Sequence, residues 1–170
     1  MERVQHIDND GKPIKESGVA PAILHYCKYQ ERCHVEVRNK LYELGCKPSE
    51  VEQHIANLVE SGTLNEERFA KLYAGGKFRM KQWGREKIKQ QLKLRKISDY
   101  CIRKGMAEID AADYEKTLVK ITHKKLLELK SERNQIVKKM KLYKFLVQKG
   151  YERDLVMTLI NETMKKASEK

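Results

Sequence analysis

Proline, long apolar runs and catalytic motifs are all scarce in this chain of 170 residues. It has three prolines, and Pro48 is the single one between residues 22 and 166. Proline interrupts a helix because its ring fixes φ and removes a backbone donor, so its scarcity leaves long stretches able to be helical. We therefore expect an all-α protein.

The chain also lacks the apolar segments that membranes and secretion require. It has no run of the roughly 18 apolar residues that a spanning helix needs, and its polar beginning has no signal-peptide core. The four cysteines, Cys27, Cys33, Cys46 and Cys101, are scattered, as is usual for thiols in a reducing compartment. These absences predict a cytoplasmic protein with no membrane contact and no disulfide framework.

Residue patterns for metal binding and catalysis are missing as well. His25, Cys27, Cys33 and His34 lie near one another in sequence, but they fit none of the usual zinc spacings. Gly75-Gly76-Lys77 lacks the upstream glycine and the following Ser or Thr of a phosphate-binding loop. No Ser, His and acidic residues share a recognisable nucleophile context. We predict no catalytic residue, no metal and no cofactor.

Charge is abundant but unevenly distributed. The chain carries 36 Lys and Arg against 24 Asp and Glu, a net charge of +12. Residues 1–62 hold 8 basic and 10 acidic groups, residues 63–110 hold 13 and 6, and residues 111–170 hold 15 and 8. A positive field attracts nucleic acid, acidic protein surfaces or anionic membranes without selecting among them. The near-neutral first third is the better candidate for protein contact or scaffolding.

The spacing of apolar residues indicates an internal repeat. With Cys46, Ile97 and Tyr151 taken as equivalent anchors, the positions five and nine residues before and after each anchor are all apolar. These flanking residues are Val37, Leu41, Val51, Ile55, Ile88, Leu92, Ile102, Met106, Leu142, Leu146, Val156 and Ile160. Apolar residues at i and i+4 on both sides of a short polar break describe two amphipathic helices joined by a tight turn. We predict three helix-turn-helix-like corners.

The residues at these breaks suit such corners. Gly45 and Gly150 can take the left-handed conformation that ends a helix, whereas Lys96 stands at the equivalent position of the middle copy. Pro48 and Ser98-Asp99 favour the start of the next helix. Two helices and their turn are therefore predicted in each copy.

A further helix precedes each corner. We place these first helices at about residues 22–30, 66–81 and 111–129. A repeat of this size is too small for a strong core of its own, so neighbouring repeats should pack together. The expected architecture is nine helices in an elongated, curved array. It consists of a flexible N-terminal tail over residues 1–20 and three-helix repeats over residues 21–62, 63–110 and 111–170.

Two basic clusters, in the second and third repeats, hold the candidate contacts to a filament or to DNA phosphates. The candidates are Lys77, Arg79, Lys81, Arg85, Lys89, Lys93, Lys138, Lys139, Lys144 and Arg153. At helical spacing Arg85, Lys89 and Lys93 form one stripe beside Ile88 and Leu92, so this helix can pack by one face and meet phosphates by its flank. Composition alone leaves such a contact and an ordinary solvated basic face equally open.

Large apolar side chains are expected to be structural. Trp83 could stack on a base or pack at a corner, and packing is the commoner role. Its neighbour Gly84 is expected to relax the backbone between two helices. We predict structural anchors at Phe69, Trp83, Cys46, Ile97 and Tyr151.

The segment from Gly62 to Ala70, GTLNEERFA, followed by Tyr73, Trp83-Gly84, Ile88, Leu92 and Ile97, resembles proteins of the RecX family. The resemblance spans about residues 22–165, and it departs from the family pattern at Lys96 and Gly75-Gly76. It implies a non-enzymatic negative regulator that binds RecA recombinase filaments on single-stranded DNA. It also implies that the regulator limits filament growth, ATP hydrolysis, strand exchange and co-protease activity. We further expect a monomer that binds DNA without preference for base sequence.

Two other functions fit the residues without that resemblance. The first is a DNA-binding helical module. Binding independent of base sequence is its stronger version, because the predicted helix at 48–60 is acidic and neither it nor the helix at 98–109 clusters Arg, Asn and Gln. The second is a helical-repeat adaptor whose basic faces meet acidic protein partners. A steep salt dependence of single-stranded DNA binding would favour the first over the second.

Overall fold

The computed structural model describes the backbone of residues 16–168. Within that range the chain forms nine α-helices and no strand, which confirms the predicted fold class. The helices are α1 (Glu16–Tyr29), α2 (His34–Glu43), α3 (Pro48–Glu60), α4 (Glu66–Lys81), α5 (Arg85–Leu94), α6 (Asp99–Met106), α7 (Ala111–Glu128), α8 (Gln135–Lys149) and α9 (Arg153–Ser168). We refer to α1–α3 as repeat 1, to α4–α6 as repeat 2 and to α7–α9 as repeat 3.

The first helix begins earlier than predicted. Helix α1 starts at Glu16, so the predicted tail of residues 1–20 is too long, and its residues 1–15 lie outside the described part of the chain. Because proline commonly marks the start of a helix, Pro21 gave no indication in the sequence that the helix begins before it. In the structure Pro21 lies inside α1. The cause of the longer helix is apolar spacing, since Val19, Ile23 and Cys27 recur every four residues and are all buried.

The start and end of α4 agree with the sequence prediction. Asn65 adopts extended backbone geometry, and its side-chain oxygen accepts a hydrogen bond of 2.8 Å from the backbone N–H of Arg68. Glu66 and Glu67 follow in the first turn, where the positive end of the helix favours acidic groups. The N-cap and the acidic first turn together explain why the start of α4 could be predicted from the sequence.

The three corners share one backbone hydrogen-bond pattern. Cys46, Ile97 and Tyr151 each donate a backbone N–H to the carbonyl oxygen five residues earlier, at 3.1, 3.2 and 3.3 Å. The residue before each anchor donates to the carbonyl three residues before itself, at 3.0, 2.9 and 2.9 Å. This pair of bonds is the Schellman motif, which satisfies the last carbonyl groups of a helix. The proposed equivalence of the three anchors is thus present in the backbone itself.

The same corners show how the middle repeat differs. Gly45 and Gly150 have φ values of 88° and 92°, and Lys96 adopts the same left-handed region with a φ of 56°. A residue with a side chain pays about 1–2 kcal/mol for that conformation because Cβ approaches the following carbonyl oxygen. The backbone hydrogen bonds of Lys96 and Ile97 therefore form this turn at a residue that does not favour it.

Apolar packing divides the described residues into two clusters. Repeat 1 has its own cluster of nine buried residues, which runs from Val19 to Leu64. Repeats 2 and 3 share one larger cluster, which also takes in Cys33 from the loop between α1 and α2. Eleven of the twelve flanking residues of the anchors are buried, and Met106 is half-buried. Of the predicted anchors, Phe69, Ile97 and Tyr151 are buried, whereas Cys46 and Trp83 are half-buried.

Candidate nucleic-acid interface

The start of α5 is hydrogen-bonded to the corner between α8 and α9. Gly84, the N-cap of α5, donates its backbone N–H to the carbonyl oxygen of Lys149 at 2.8 Å, and Glu86 donates to the carbonyl of Gly150 at 3.0 Å. The first N–H groups of a helix have no partner within the helix. Here the corner of repeat 3 supplies those partners, and the two basic repeats are joined backbone to backbone.

Gly84 is needed for space rather than for flexibility. Its φ of −74° and ψ of 163° are available to any residue, so the expected role in relaxing the backbone is wrong. A Cβ at this position would lie 2.2 Å from the carbonyl carbon and oxygen of Gly150 and 2.4 Å from the nitrogen of Tyr151. Only a glycine lets the two backbones approach closely enough to form their hydrogen bonds.

A buried tyrosine completes this junction. The Tyr114 hydroxyl accepts a hydrogen bond of 3.0 Å from the backbone N–H of Arg85 and donates one of 2.6 Å to Oε2 of Glu152. Burial, and then the bond to Glu152, raise the pKa of Tyr114 well above its usual value, so the hydroxyl keeps its proton. The Arg85 guanidinium lies 4.0 Å from the centre of the Tyr114 ring and 3.9 Å from the Glu152 carboxylate. Arg85 therefore helps to hold repeats 2 and 3 together.

An open groove of about 1110 Å³ lies beside the junction, between α5 and the corner of α8 and α9. Three of the predicted phosphate contacts, Lys89, Lys93 and Arg153, line it. The other lining residues are Glu86, Lys87, Gln90, Gln91, Leu94, Val147, Gln148, Gly150, Tyr151, Glu152 and Asp154. The structure thus brings candidates from both basic repeats to one surface, which we call the α5 groove.

Two lysines of the α5 groove, Lys89 and Lys93, form only weak ion pairs with neighbouring acidic residues. Lys89 Nζ lies 3.1 Å from Oε1 of Glu86, and Lys93 Nζ lies 4.0 Å from Oδ1 of Asp99. Both are pairs at the surface, and such pairs are worth only about 0–1 kcal/mol because water screens them. Glu152, by contrast, is engaged by Tyr114 in the junction. A phosphate can therefore displace the partners of the lysines at little cost.

Three candidates on α4 lie outside the α5 groove. Lys77 Nζ lies 5.1 Å from the ring centre of Tyr73 and 5.5 Å from that of Trp83, so its cation rests on aromatic faces. Arg79 extends beside Gly75, and Lys81 is exposed near the end of the helix, where its carbonyl oxygen accepts a bond of 3.2 Å from Lys149 Nζ. None of these three residues lines the α5 groove.

The candidates on α8 form a third group. Lys139 Nζ donates to Oδ1 of Asn161 at 2.6 Å, which fixes its side chain along α9. Lys144 is exposed and Lys138 is half-buried. None of the three lines the α5 groove, so the predicted set of ten residues does not form a single site.

Sequence reasoning missed several polar residues of the α5 groove. Gln90 and Gln148 carry no charge and therefore gave no signal in a search for basic clusters, although amide groups can bond to phosphates and bases. Lys87 lies between the predicted contacts Arg85 and Lys89 in sequence but was not itself predicted as a contact. Its Nζ donates to the carbonyl of Gln148 at 3.1 Å and lies 4.7 Å from the Trp83 ring. Only the fold places repeat-3 residues opposite α5.

The described residues lack both a metal-binding cluster and a membrane-spanning helix. No cluster of three or more His, Cys, Asp or Glu side chains in this part of the chain is arranged to hold a metal ion. His25 is exposed, whereas Cys27 and Cys33 are buried thiols whose pKa is raised by burial. No helix within the described range is long and apolar enough to cross a membrane.

Comparison with known proteins points to one family. The family description "RecX, second three-helix domain" matches residues 65–106, which correspond to repeat 2. A regulatory protein RecX from Clostridium perfringens strain 13 is 32% identical over 126 residues, and the alignment covers 74% of this chain. A regulatory protein RecX from Bacillus cereus strain AH187 is 26% identical over 140 residues, or 82% of this chain. The chain spans 58% of the first relative and 51% of the second.

Two solved structures have the same arrangement of helices. The crystal structure of RecX from Lactobacillus salivarius matches with a TM-score of 0.75 at 25% identity, over 86% of this chain and 94% of that one. A crystal structure of a regulatory protein RecX matches with a TM-score of 0.76 at 17% identity, over 85% of this chain and 71% of that one. The second likeness concerns the fold alone. Together with the sequence matches, these similarities show that the chain belongs to the RecX family of regulatory proteins.

Proposed function

We propose that this protein is a negative regulator of RecA, which binds the RecA filament on single-stranded DNA and limits its recombinase, ATPase and co-protease activities. The observation that carries the proposal is the α5 groove, which is lined by Lys89 and Lys93 of repeat 2 and by Arg153 of repeat 3. RecA as the partner is what the resemblance to the RecX family implies, and the matches to regulatory proteins named RecX support that family. The mechanism is occupation of the filament surface rather than chemistry.

The rigidity of the junction supports this role. A protein that must align two basic helices with a repeating polymer gains affinity when the relative position of the two helices is fixed before binding. Backbone hydrogen bonds from Gly84 and Glu86, with the Tyr114 network behind them, hold α5 against the corner of α8 and α9. We expect the chain to act as a monomer that contacts several successive phosphates without reading bases.

RecA-dependent ATP hydrolysis on single-stranded DNA, measured with increasing amounts of this protein, tests the proposal. We expect near-stoichiometric amounts to inhibit hydrolysis. The variant Lys89→Glu with Lys93→Glu should need roughly tenfold more protein for the same inhibition, because each reversal replaces a phosphate contact with repulsion. Full inhibition by this variant would contradict the role of the α5 groove, and no inhibition by the unaltered protein would contradict the function.

Two further variants make the assay specific. Lys28→Glu with Lys47→Glu changes the net charge by the same amount on exposed residues of repeat 1, and we expect it to inhibit as the unaltered protein does. Lys144→Glu tests the α8 group separately. Binding of single-stranded DNA without RecA distinguishes the second candidate, a DNA-binding module, which the same groove would also serve. Strong binding in that assay without inhibition of RecA would favour the module.

A further inference from the structure

Helix α8 carries a second line of apolar side chains besides the one that packs in the core. Its buried line consists of Leu142 and Leu146, which are fully buried. The second line follows the heptad spacing i, i+4, i+7 and i+11, and we call it the α8 stripe. Its members are Ile136, Met140, Tyr143 and Val147. This spacing places them along one face of the helix, where another helix can pack.

The first half of the α8 stripe is open to solvent. Ile136 is 73% exposed and Met140 is 65% exposed, whereas Tyr143 and Val147 are half-buried. Single exposed apolar residues are ordinary, but two large ones that adjoin on a helix and continue into half-buried neighbours make a contiguous surface. Val147 also lines the α5 groove, so the stripe leads from the end of α8 to that groove.

The charges beside the α8 stripe are basic. Helix geometry places Lys139 on one side of the stripe and Lys141 with Lys144 on the other. Lys141 Nζ lies 2.8 Å from Oε2 of Glu132, and this contact lowers the pKa of the Glu132 carboxyl, so an acidic group already sits against that edge. A second copy of the same face would bring lysines against lysines. The charge pattern therefore favours an acidic partner over self-association.

The two basic surfaces of the protein differ in their chemistry. The α5 groove is lined by four basic side chains, three acidic ones and three glutamines, and its Lys and Arg groups suit phosphates. Ile136 and Met140 offer nothing to a phosphate, but they fit the apolar face of an amphipathic helix whose edges carry Asp or Glu. We propose that the α8 stripe is a docking surface for such an acidic amphipathic helix of a partner protein. This surface shares Val147 with the α5 groove, but its exposed part, Ile136 and Met140, lies outside the groove. Its existence does not depend on the function proposed above.

The probe for this surface is a labelled synthetic peptide of three heptads with Leu at the first and fourth positions and Glu at the positions that flank them. Fluorescence anisotropy with the full chain should show binding that weakens as salt is raised. The variant Ile136→Ser with Met140→Ser should bind roughly tenfold more weakly or worse. Its affinity for single-stranded DNA should be unchanged. A variant with unaltered peptide affinity, or with a parallel loss of DNA affinity, would overturn the proposal.

Two controls keep the experiment decisive. Met80→Ser removes an isolated apolar side chain, 82% exposed, from the basic end of α4, and it should leave peptide binding unchanged. Lys139→Glu with Lys144→Glu keeps the apolar stripe but reverses the charge beside it. This variant should lose the acidic peptide and gain a peptide in which Lys replaces each Glu. If the charge-reversed protein prefers the acidic peptide, the proposed complementarity is wrong.

Discussion

Repeat 2 is joined to repeat 3 and to repeat 1 by different kinds of interaction. At the junction with repeat 3, backbone groups of Gly84 and Gly150 approach closely, and both repeats share one apolar cluster. At the junction with repeat 1, the contacts include ion pairs of Arg68 with Glu31 at 2.7 Å and of Arg95 with Glu36 at 3.9 Å. Backbone bonds in a dry core resist salt, whereas ion pairs at the surface are screened by it.

The difference separates the molecule into two mechanical parts. Repeats 2 and 3 form one body that carries the α5 groove, and repeat 1 has its own core and is attached through side chains. Cys33 is buried in the shared cluster, and Val35 of α2 packs against that cluster. Variants at each junction should therefore differ in the size and in the salt dependence of their effects.

The largest expected effect is at Gly84. The substitution Gly84→Ala should lower the free energy of unfolding by about 3 kcal/mol, because its Cβ would overlap the backbone of Gly150 and force the junction apart. Urea denaturation followed by circular dichroism measures the loss. Gly76→Ala is the matched control, since a Cβ there meets nothing within 4 Å, and it should stabilise α4 by about 0.5–1 kcal/mol. Equal effects of the two changes would contradict the close approach.

The next effect is at the buried hydroxyl of the same junction. Tyr114→Phe should cost about 2 kcal/mol, because it leaves the Arg85 N–H and the Glu152 carboxylate without their partner. Tyr151→Phe makes the same chemical change on a ring whose centre lies 5.0 Å away. The Tyr151 hydroxyl is buried without a hydrogen-bond partner, so its removal should cost nothing or stabilise the protein. Thermal denaturation measures the stability of both variants. A larger loss of stability for Tyr151→Phe than for Tyr114→Phe would disprove the assigned network.

A smaller effect, dependent on salt, is expected at the junction with repeat 1. The Arg68 side chain contacts Glu31 and also donates to the carbonyl groups of Gly62 and Thr63, at 3.1 and 3.0 Å. Arg68→Ala should cost about 1 kcal/mol at low salt and less at high salt. Hydrogen exchange should rise in α1–α3 and stay constant in α7–α9. Faster exchange in repeat 3 would show that the two junctions are not independent.

The smallest effect concerns the corner of the middle repeat. Lys96→Gly should stabilise the protein by about 0.5 kcal/mol. Glycine adopts the φ of 56° without a clash, and the greater conformational entropy of glycine in the unfolded chain offsets part of that gain. The reciprocal change Gly45→Lys, at a φ of 88°, should destabilise it by about 1 kcal/mol. Chemical denaturation measures both changes. Destabilisation by Lys96→Gly would mean that the lysine side chain makes a contact worth more than its backbone strain.

Much of the fold was predictable because it depends on local spacing. The apolar residues around Cys46, Ile97 and Tyr151 predicted three corners, and the same Schellman bonds occur at all three. The start of α4 followed from its Asn65 cap. The predicted start of α1 was wrong. Proline is typical of a helix start, but the buried side chains of Val19 and Ile23 lie on both sides of Pro21 and the helix begins before it.

The candidate site was less predictable. Lys89, Lys93 and Arg153 meet in the α5 groove, but Lys77 rests on aromatic rings, Arg85 belongs to the junction, and Lys139 is held along α9. Sequence composition cannot separate a lysine that faces open solvent from one that a neighbouring element engages. Their roles in binding remain predictions that the variants above address.

Periodicity, turn residues and the balance of charge along the chain were enough to predict three basic or neutral helical repeats, because each of these features acts over a few residues. How the repeats meet was decided by tertiary structure. Gly84 and Gly150 lie 66 positions apart, and nothing in either neighbourhood indicates that their backbones touch. Close packing between distant segments depends on shape as well as residue type, and that shape exists only once both repeats have folded.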